Sequence, residues 1–388
     1  MMNVTFFHDG PVLIDEQNRV HRSFLTEEII ERYFLLGDQI TIATRQKADV
    51  NLKDDTIIQI NNVSYENILN FKSIKSYFFN IGKAKKRIRQ LVKNADIVIA
   101  RLPSSIGSIA VDISKELNKP YIIEAVGDPW ESLRHHSMIG FLLAPFAKAT
   151  MKRLLKSSKY VIYVTNEYLQ LRYPTLGKGV GISDVILPNV STDCLDQRIN
   201  RIKSNNNMIT LGTLAVVNIR YKGQQHVIKA LAKLKEKGHK DFTYVLVGPG
   251  DQQYLRKVAK KYNVEDQVVF LGGMSHEKAL KWLETVDVYI QPSETEGMPR
   301  ALIEAMSKGC CCIGSEVGGI PELLKAEDCY PSIKDPSDLI CQRIIACSFD
   351  KRIMDANINI EKTKEFNLEN LQFKRKCFYD DFLKCEFD

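Results

Sequence analysis

Short apolar runs and amphipathic stretches alternate along the whole chain. In the first half "QITIATR" (39–45), "ADIVIAR" (95–101), "PYIIEAV" (120–126) and "YVIYVT" (160–165) are too short for helices and rich in Ile and Val. Continuous runs of this kind predict strands buried on both faces of a parallel sheet. Helical patterns such as "IGSIAVDISKELNK" (106–119) sit between them. The series restarts in the second half, where "NMITLGTL" (207–214), "FTYVLVG" (242–248), "QVVFLGG" (267–273), "VDVYIQPS" (286–293) and "CCCIGS" (310–315) are predicted strands. Between these, "GQQHVIKALAKLKEKG" (223–238), "DQQYLRKVAKKYN" (251–263) and "HEKALKWLETV" (276–286) repeat apolar positions with the 3.6-residue period of a helix. Repeated β–α alternation predicts parallel sheets with right-handed crossovers, and two series predict two doubly wound α/β domains. The join is expected in the polar stretch 186–207, which carries a Pro-Asn pair and ends in an Asn run, dividing the chain into 1–190 and 191–367. Two such domains side by side would face a cleft at the carboxyl ends of both sheets, where ligands bind in open α/β folds.

Composition narrows the class. A chain of 388 residues is too long for one ordinary core, and 44% apolar with 26% charged content is that of a globular protein. No uninterrupted apolar run is long enough to span a bilayer. The start "MMNVTFFHDGP" lacks the basic-then-apolar order of a signal peptide, so a cytoplasmic location is expected. The nine cysteines (Cys194, Cys310, Cys311, Cys312, Cys329, Cys341, Cys347, Cys377 and Cys385) show no paired spacing. They read as reduced, mostly buried thiols rather than disulfides or a metal site. The net charge of +7 is partly clustered in "FKSIKSYFFNIGKAKKRIRQLVK" (71–93) and "FLLAPFAKATMKRLLKSSK" (141–159). These are either solvated helical faces or a basic, aromatic-bearing surface for an anionic membrane. No nucleic-acid-binding motif accompanies the charge, so nucleic acid is not an expected partner.

The stretch "ETEGMPRALIEAM" (294–306) places Glu294, Glu296 and Glu304 around a helix start that comes after the strand "VDVYIQPS". It is therefore a βα turn at the carboxyl end of a sheet. Gly297 lets the backbone pass close to a ligand, and Pro299 suits the first turn, where its missing N–H costs nothing. The free N–H groups from Met298 to Leu302, at the positive end of the helix dipole, form an anion site. Carboxylates on both sides accept hydrogen bonds from hydroxyls. Phosphate in the middle with hydroxyls at both ends describes a nucleotide sugar. The plainer alternative makes Glu296 a helix-cap carboxylate and Glu304 a surface residue.

The longer segment "PSETEGMPRALIEAMSKGCCCIGSEVGGIPELL" (292–324) resembles the donor-site segment of glycosyltransferase family 4. Glu296 and Glu304 fall on the two glutamates of that family's Glu-x7-Glu motif, and Gly309, Gly318, Gly319, Pro321 and Glu322 match its next strand and loop. "GTLAVVNIRYKGQQHVIKALAKL", "YVLVGPG" and "VVFLGG" have counterparts in the same order, and the opening of the chain is similar to polysaccharide-assembly members. The resemblance implies a GT-B fold, two Rossmann-like domains with the C-terminal helix (368–388) packed back on the first, and a retaining sugar transfer from a nucleotide-diphosphate sugar, a UDP-sugar by expectation. It implies that Glu304 holds the ribose, Glu296 contacts the donor sugar, and the backbone of Gly297, Met298, Pro299, Arg300 and Ala301 cradles the diphosphate. Gly212, Gly248 and Gly272 are assigned to the same donor site, and Lys222 to neutralising the diphosphate. Many members carry an arginine after the glycine of the first strand of this domain, where this chain has Thr213. Arg220 is then the second cation, or else a solvent-exposed residue with Lys222 acting alone.

The resemblance also implies that no cofactor or metal is needed, the cations and the helix dipole meeting the departing diphosphate instead. The first domain is expected to bind a glycan or polyprenyl-linked acceptor through Asp9 and Gly10. Asp128, in the loop after "PYIIEAV", is the candidate for a catalytic sugar or acceptor contact, and His135 and His136 are expected to be ordinary helix residues. A nucleotide-sugar epimerase and a non-catalytic partner subunit are the rival readings. A dinucleotide-dependent oxidoreductase is weaker, because "VLVGPGDQQ" has only two of the required glycines.

Overall fold

The computed structural model describes residues 1–21, 25–49, 56–134, 138–187, 193–204 and 208–387. His135, His136 and the Pro-Asn pair at 188–189 lie outside them. The chain divides into two compact units, one of Met1–Ile182 with Gln372–Asp388, the other of Ser183–Leu371.

The first unit is built on β1 (Asn3–Phe7), β2 (Gln39–Thr44), β3 (Val63–Asn67), β4 (Ile97–Leu102), β5 (Tyr121–Ala125), β6 (Tyr160–Tyr163) and β7 (Lys178–Gly181). Their order in the sheet is β7-β6-β5-β4-β1-β2-β3, and every pairing is parallel. The inner strand β4 is buried at all six positions, its apolar run interrupted only by Arg101, which pairs with the buried Glu124 at 2.9 Å. The edge strands β3 ("VSYEN") and β7 ("KGVG") were not predicted. No position of either strand is fully buried, so neither needs a long apolar run. The unit boundary at 182/183 is set by β7: the chain leaves the first sheet directly after it, ahead of the polar stretch where the join was expected. A separate small sheet of Val12–Ile14, Val20–His21 and Gln46–Ala48 was too short to show in the sequence.

The crossovers include α1 (Ile74–Asn94), α2 (Ser105–Glu116) and α3 (Met138–Lys156). Ser73 and Ser76 form a reciprocal capping box at the start of α1, and Ser104 caps α2 by accepting from the Gly107 N–H at 2.9 Å.

The second unit holds β8 (Ile209–Leu214), β9 (Phe242–Val247), β10 (Val268–Gly272), β11 (Val288–Gln291), β12 (Cys311–Ser315) and β13 (Cys329–Tyr330), in the order β10-β9-β8-β11-β12-β13, again all parallel. Its helices include α4 (Gln224–Glu236), α5 (His276–Leu283) and α6 (Arg300–Ser307). Val227, Ile228, Leu231 and Leu234 of α4 are fully buried in one core with Leu211, Leu246, Ile290 and Ile313. Their i, i+1, i+4, i+7 spacing is the helical stripe read from the sequence. The cysteines of β12 are buried, and all nine cysteines are free thiols.

The last helix, α7 (Leu368–Phe387), joins the first unit from Gln372 onward. Phe378 and Phe382 meet the Tyr160 ring edge-on, with centroids 5.6 and 5.1 Å away, while Asp381 pairs with Lys178 at 2.8 Å. This aromatic contact covers the β6–β7 side of the first sheet.

Candidate active site

In each sheet the strand order reverses at one point, between β1 and β4 in the first and between β8 and β11 in the second. Loops leaving the carboxyl ends of strands on either side of such a point diverge and leave a crevice. The second crevice is flanked by the turn carrying Lys222, after β8, and the loop carrying Glu296, after β11.

These two segments are tied together by their backbones. The Glu294 N–H donates to the Tyr221 carbonyl at 2.7 Å. Gly223 has φ +76°, and a Cβ there would lie 1.8 Å from the Pro292 carbonyl oxygen. No other residue allows so close a packing. On the other side, Gly318 (φ +56°) brings the loop after β12 within 2.1 Å of the Glu296 carbonyl, measured from where its Cβ would be, and the Gly319 N–H donates to the Gly297 carbonyl at 2.7 Å. The Glu296–Gly297 backbone is thus clamped from both sides.

The clamp fixes the Glu296 carboxylate. Its Oε1 accepts from Lys222 Nζ at 2.6 Å, Ser293 Oγ at 2.7 Å and Gln291 Nε2 at 3.0 Å. Gln291 is itself oriented by the Tyr289 hydroxyl, which donates to its Oε1 at 3.0 Å. Oε2 has no partner among the described residues and remains available as an acceptor. An ammonium carries three donors, so Lys222 held on Glu296 keeps two for an incoming anion. Lys222 was expected to act on a diphosphate alone; the structure makes it one half of an ion pair.

Pro299 stands one residue earlier than expected, as the N-cap of α6 rather than in its first turn. Leu302 and Ile303 donate to its carbonyl at 3.2 and 3.3 Å, so the Leu302 amide is not open to a ligand. The Met298, Arg300 and Ala301 amides have no protein acceptor among the described residues and form the anion site left at this helix end. One turn into α6, Glu304 is buried, and its Oε1 lies 3.1 Å from Nε2 of the half-exposed His276 at the start of α5. The surface-residue alternative for Glu304 is therefore excluded by its burial.

Arg220 does not join this group: its guanidinium lies over the Tyr254 ring, 4.5 Å from the centroid, and the residue is exposed. Thr213 is a buried structural residue, donating to the Ile290 carbonyl and accepting from the Tyr244 hydroxyl, both at 2.8 Å. Gly212 is explained by packing, since a Cβ there would meet Val286 and Trp282 within 3.0 Å, and we do not retain it as a ligand contact. Gly248 and Gly272 meet at the carboxyl ends of β9 and β10, where the Gly248 N–H donates to the Gly272 carbonyl at 2.9 Å.

The first unit corrects two expectations. The Asp128 side chain is wholly buried and fully engaged. It takes the Trp130 N–H at 2.9 Å, the Tyr168 hydroxyl at 3.0 Å, the Tyr173 hydroxyl at 2.5 Å and the Arg172 guanidinium. Burial, with the Asp128 charge beside them, pushes both phenols well above their ordinary pKa. A carboxylate with four donors and no exposure is a structural node, not a catalytic contact. Asp9, at the first crevice, caps α2: its oxygens accept the Ser105 and Ile106 N–H groups at 3.0 Å each, and Lys72 lies 3.5 Å away. Burial opposes its ionisation, but the Ile106 amide, Lys72, the Ser105 amide and Arg45 outweigh it and hold its pKa below the usual range. Asp9 therefore positions the loop, and Gly10 beside it is half-buried.

Sequence reasoning missed His276, which stood in a predicted helix without a role. It also missed Gln291 and Ser293, read as the polar end of a strand. It passed over His226, buried between Glu294 (3.5 Å) and Asp335 (3.6 Å). No local pattern marks such residues, because their partners are far away in the chain. Among the described residues no group of three or more His, Cys, Asp or Glu side chains converges as a metal site, and no helix is long and apolar enough to cross a membrane.

Residues 196–342 match the family described as glycosyl transferases group 1. Protein CapJ of Staphylococcus aureus is 32% identical over 388 residues, covering 97% of this chain and 94% of its own. The amylovoran biosynthesis glycosyltransferase AmsK of Erwinia amylovora is 35% identical over 111 residues, covering 27% of each chain. Among solved structures, Anabaena HepE in complex with UDP and glucose superposes with a TM-score of 0.66 at 16% identity, covering 96% of this chain and 98% of its own. With a relative of this identity along nearly its whole length, and with a clamped Glu-x7-Glu segment at the strand-order reversal of a doubly wound sheet, the chain belongs to the group 1 glycosyltransferases, glycosyltransferase family 4, of GT-B fold.

Proposed function

We propose that the second unit binds a UDP-sugar and that the protein transfers the sugar, with retention of configuration, to a glycan or polyprenyl-linked acceptor in the assembly of a cell-surface polysaccharide. The observation that carries the reading is the Lys222–Glu296 pair set beside the three open amides at the start of α6. Together they offer positive charge to a diphosphate and an acceptor oxygen to a sugar hydroxyl at one strand-order reversal. The role of AmsK in amylovoran biosynthesis and the UDP and glucose bound by HepE support the polysaccharide and donor parts.

In this reading the bond between the anomeric carbon and the diphosphate oxygen breaks through an oxocarbenium-like state. The negative charge gathering on the diphosphate is met by Lys222 and by the Met298, Arg300 and Ala301 amides. The acceptor oxygen bonds to the anomeric carbon on the face the diphosphate leaves, and its proton passes to the departing phosphate oxygen. Glu304, fixed by His276, accepts from the ribose hydroxyls. The reading names no cofactor beyond the nucleotide sugar.

The test is release of UDP from a panel of UDP-sugars with lipid-linked acceptors, with the product's anomeric configuration read by NMR. No transfer with any donor, despite tight UDP binding, would favour a non-catalytic partner subunit. Epimerised donor without transfer would favour the epimerase. Glu304→Ala is expected to weaken UDP binding by about 1.5–3 kcal/mol, the worth of hydrogen bonds to a charged group, or roughly 10- to 150-fold in Kd by calorimetry. Affinity equal to the parent's removes Glu304 from the site.

A further inference from the structure

The helices α1 and α3 share an unusual composition. "IKSYFFNIGKAKKRIRQLVKN" and "MIGFLLAPFAKATMKRLLK" hold seven and four basic residues and not one acidic residue. The chain's whole net charge is only +7, so these eleven basic residues exceed it and the rest of the chain carries a slight acidic excess. They flank α2 on one layer: Arg89 of α1 pairs with Glu116 of α2 at 2.6 Å, and Arg153 of α3 with Asp112 of α2 at 2.7 Å. Those pairs consume the acidic groups of α2. Lys85, Lys86, Lys152 and Lys156 form no ion pair with any described residue.

The same helices carry most of the large exposed apolar side chains among the described residues of the unit. In α3, Met138, Ile139, Leu142, Leu143 and Phe146 follow an i, i+1, i+4, i+5, i+8 stripe, with Leu142 68% and Phe146 72% exposed. The opposite face, through Gly140, Ala144, Met151, Leu154 and Leu155, is buried. A helix apolar on both faces over its first half calls for a second apolar environment. In α1, Phe78 and Phe79 are 78% and 74% exposed.

Topology puts these two patches at one edge. Both helices are crossovers between parallel strands and run against them, so their first turns lie at the carboxyl ends of the sheet. That is also where the Asp9–Gly10 loop leaves β1. Apart from Lys75 at the start of α1, the lysines come later in each helix. Lys83 is about 6 Å further along the axis than Phe79, and Lys148 about 3 Å beyond Phe146, at a rise of about 1.5 Å per residue. Apolar tips backed within that distance by lysines match the layering of a leaflet, whose acyl boundary lies about 5–10 Å beneath anionic headgroups.

We propose that this edge of the first unit docks on an anionic lipid leaflet, with Leu142, Phe146, Phe78 and Phe79 inserted and the lysines of α1 and α3 on the headgroups. An acidic protein partner would meet the lysines but leave the apolar tips in water, and a second copy of this chain would set lysines against lysines. The surface does not depend on the donor-site reading, and lipid binding and sugar transfer can be tested apart.

The experiment is co-sedimentation of the full chain with phosphatidylcholine vesicles, with and without phosphatidylglycerol, at low and high salt. The expected result is binding at least tenfold stronger to the anionic vesicles, reduced by salt. Leu142→Glu/Phe146→Glu and, independently, Phe78→Glu/Phe79→Glu should each lose tenfold or more, with urea unfolding curves unchanged. Lys152→Gln/Lys156→Gln should weaken binding to anionic vesicles alone. Undiminished binding by both glutamate pairs overturns the proposal. So does vesicle binding that is absent while sedimentation velocity shows self-association abolished by Phe146→Glu, which would make the patch an interface between copies.

Discussion

Lys222→Ala is expected to lower turnover by about 10²- to 10³-fold, the range for removing one preorganised electrostatic group from the site of developing charge. The donor KM should move much less, since the diphosphate is bound before cleavage adds charge to its bridging oxygen. The structure adds a second consequence. Without the ammonium at 2.6 Å, Glu296 Oε1 keeps only Gln291 and Ser293, both neutral donors. The carboxylate then gains freedom and loses its charge partner, so Lys222 and Glu296 should act as one unit. Steady-state kinetics of Lys222→Ala, Glu296→Ala and the double variant test this: the double should lose far less than the product of the two single losses. A change in KM alone would make the lysine a ground-state binder and remove it from the chemical step. Multiplicative losses would mean that the ion pair has no functional consequence.

Asp128→Ala is expected to destabilise the first unit by about 3–5 kcal/mol, the cost of breaking a buried ion pair from one side. The variant removes the acceptor of the Tyr173 and Tyr168 hydroxyls and leaves Arg172 with Glu131 as its remaining carboxylate partner, at 3.0 Å. Asp128→Asn keeps the shape and one acceptor oxygen, so it should cost less. Urea unfolding followed by hydrogen exchange reads the effect unit by unit. Amides of β5 and β6 should lose protection while UDP affinity stays at the parental value. A fully stable Asp128→Ala protein that fails to transfer sugar would return this residue to the catalytic set.

The two aspartates show why a site can be misassigned from sequence. Asp9 and Asp128 both come after buried strands, in loops at the carboxyl end of a sheet, which is where ligand contacts are sought. That position is set by local order and was legible. Whether a carboxylate there faces a ligand or the protein depends on what else reaches it. For Asp128 the donors come from Tyr168, Arg172 and Tyr173; for Asp9 they come from Ser105 and Ile106, close to a hundred residues away. The same limit hid His276 and the Gln291–Ser293 support of Glu296.

By itself the sequence determined the two series of parallel strands, the stripe that buries α4, and the Glu-x7-Glu turn, because each depends on periodicity or on neighbours a few residues apart. It missed β3 and β7, since an edge strand half in water has no need of an apolar run. Only the tertiary structure decided which charges pair. Lys222 was read as a partner for phosphate, Arg220 as its companion. The fold holds the first on Glu296, 74 positions away, and lays the second over Tyr254. An ion pair needs only proximity in space, and proximity between distant segments is set by the strand order and by the close packing that Gly223 and Gly318 permit.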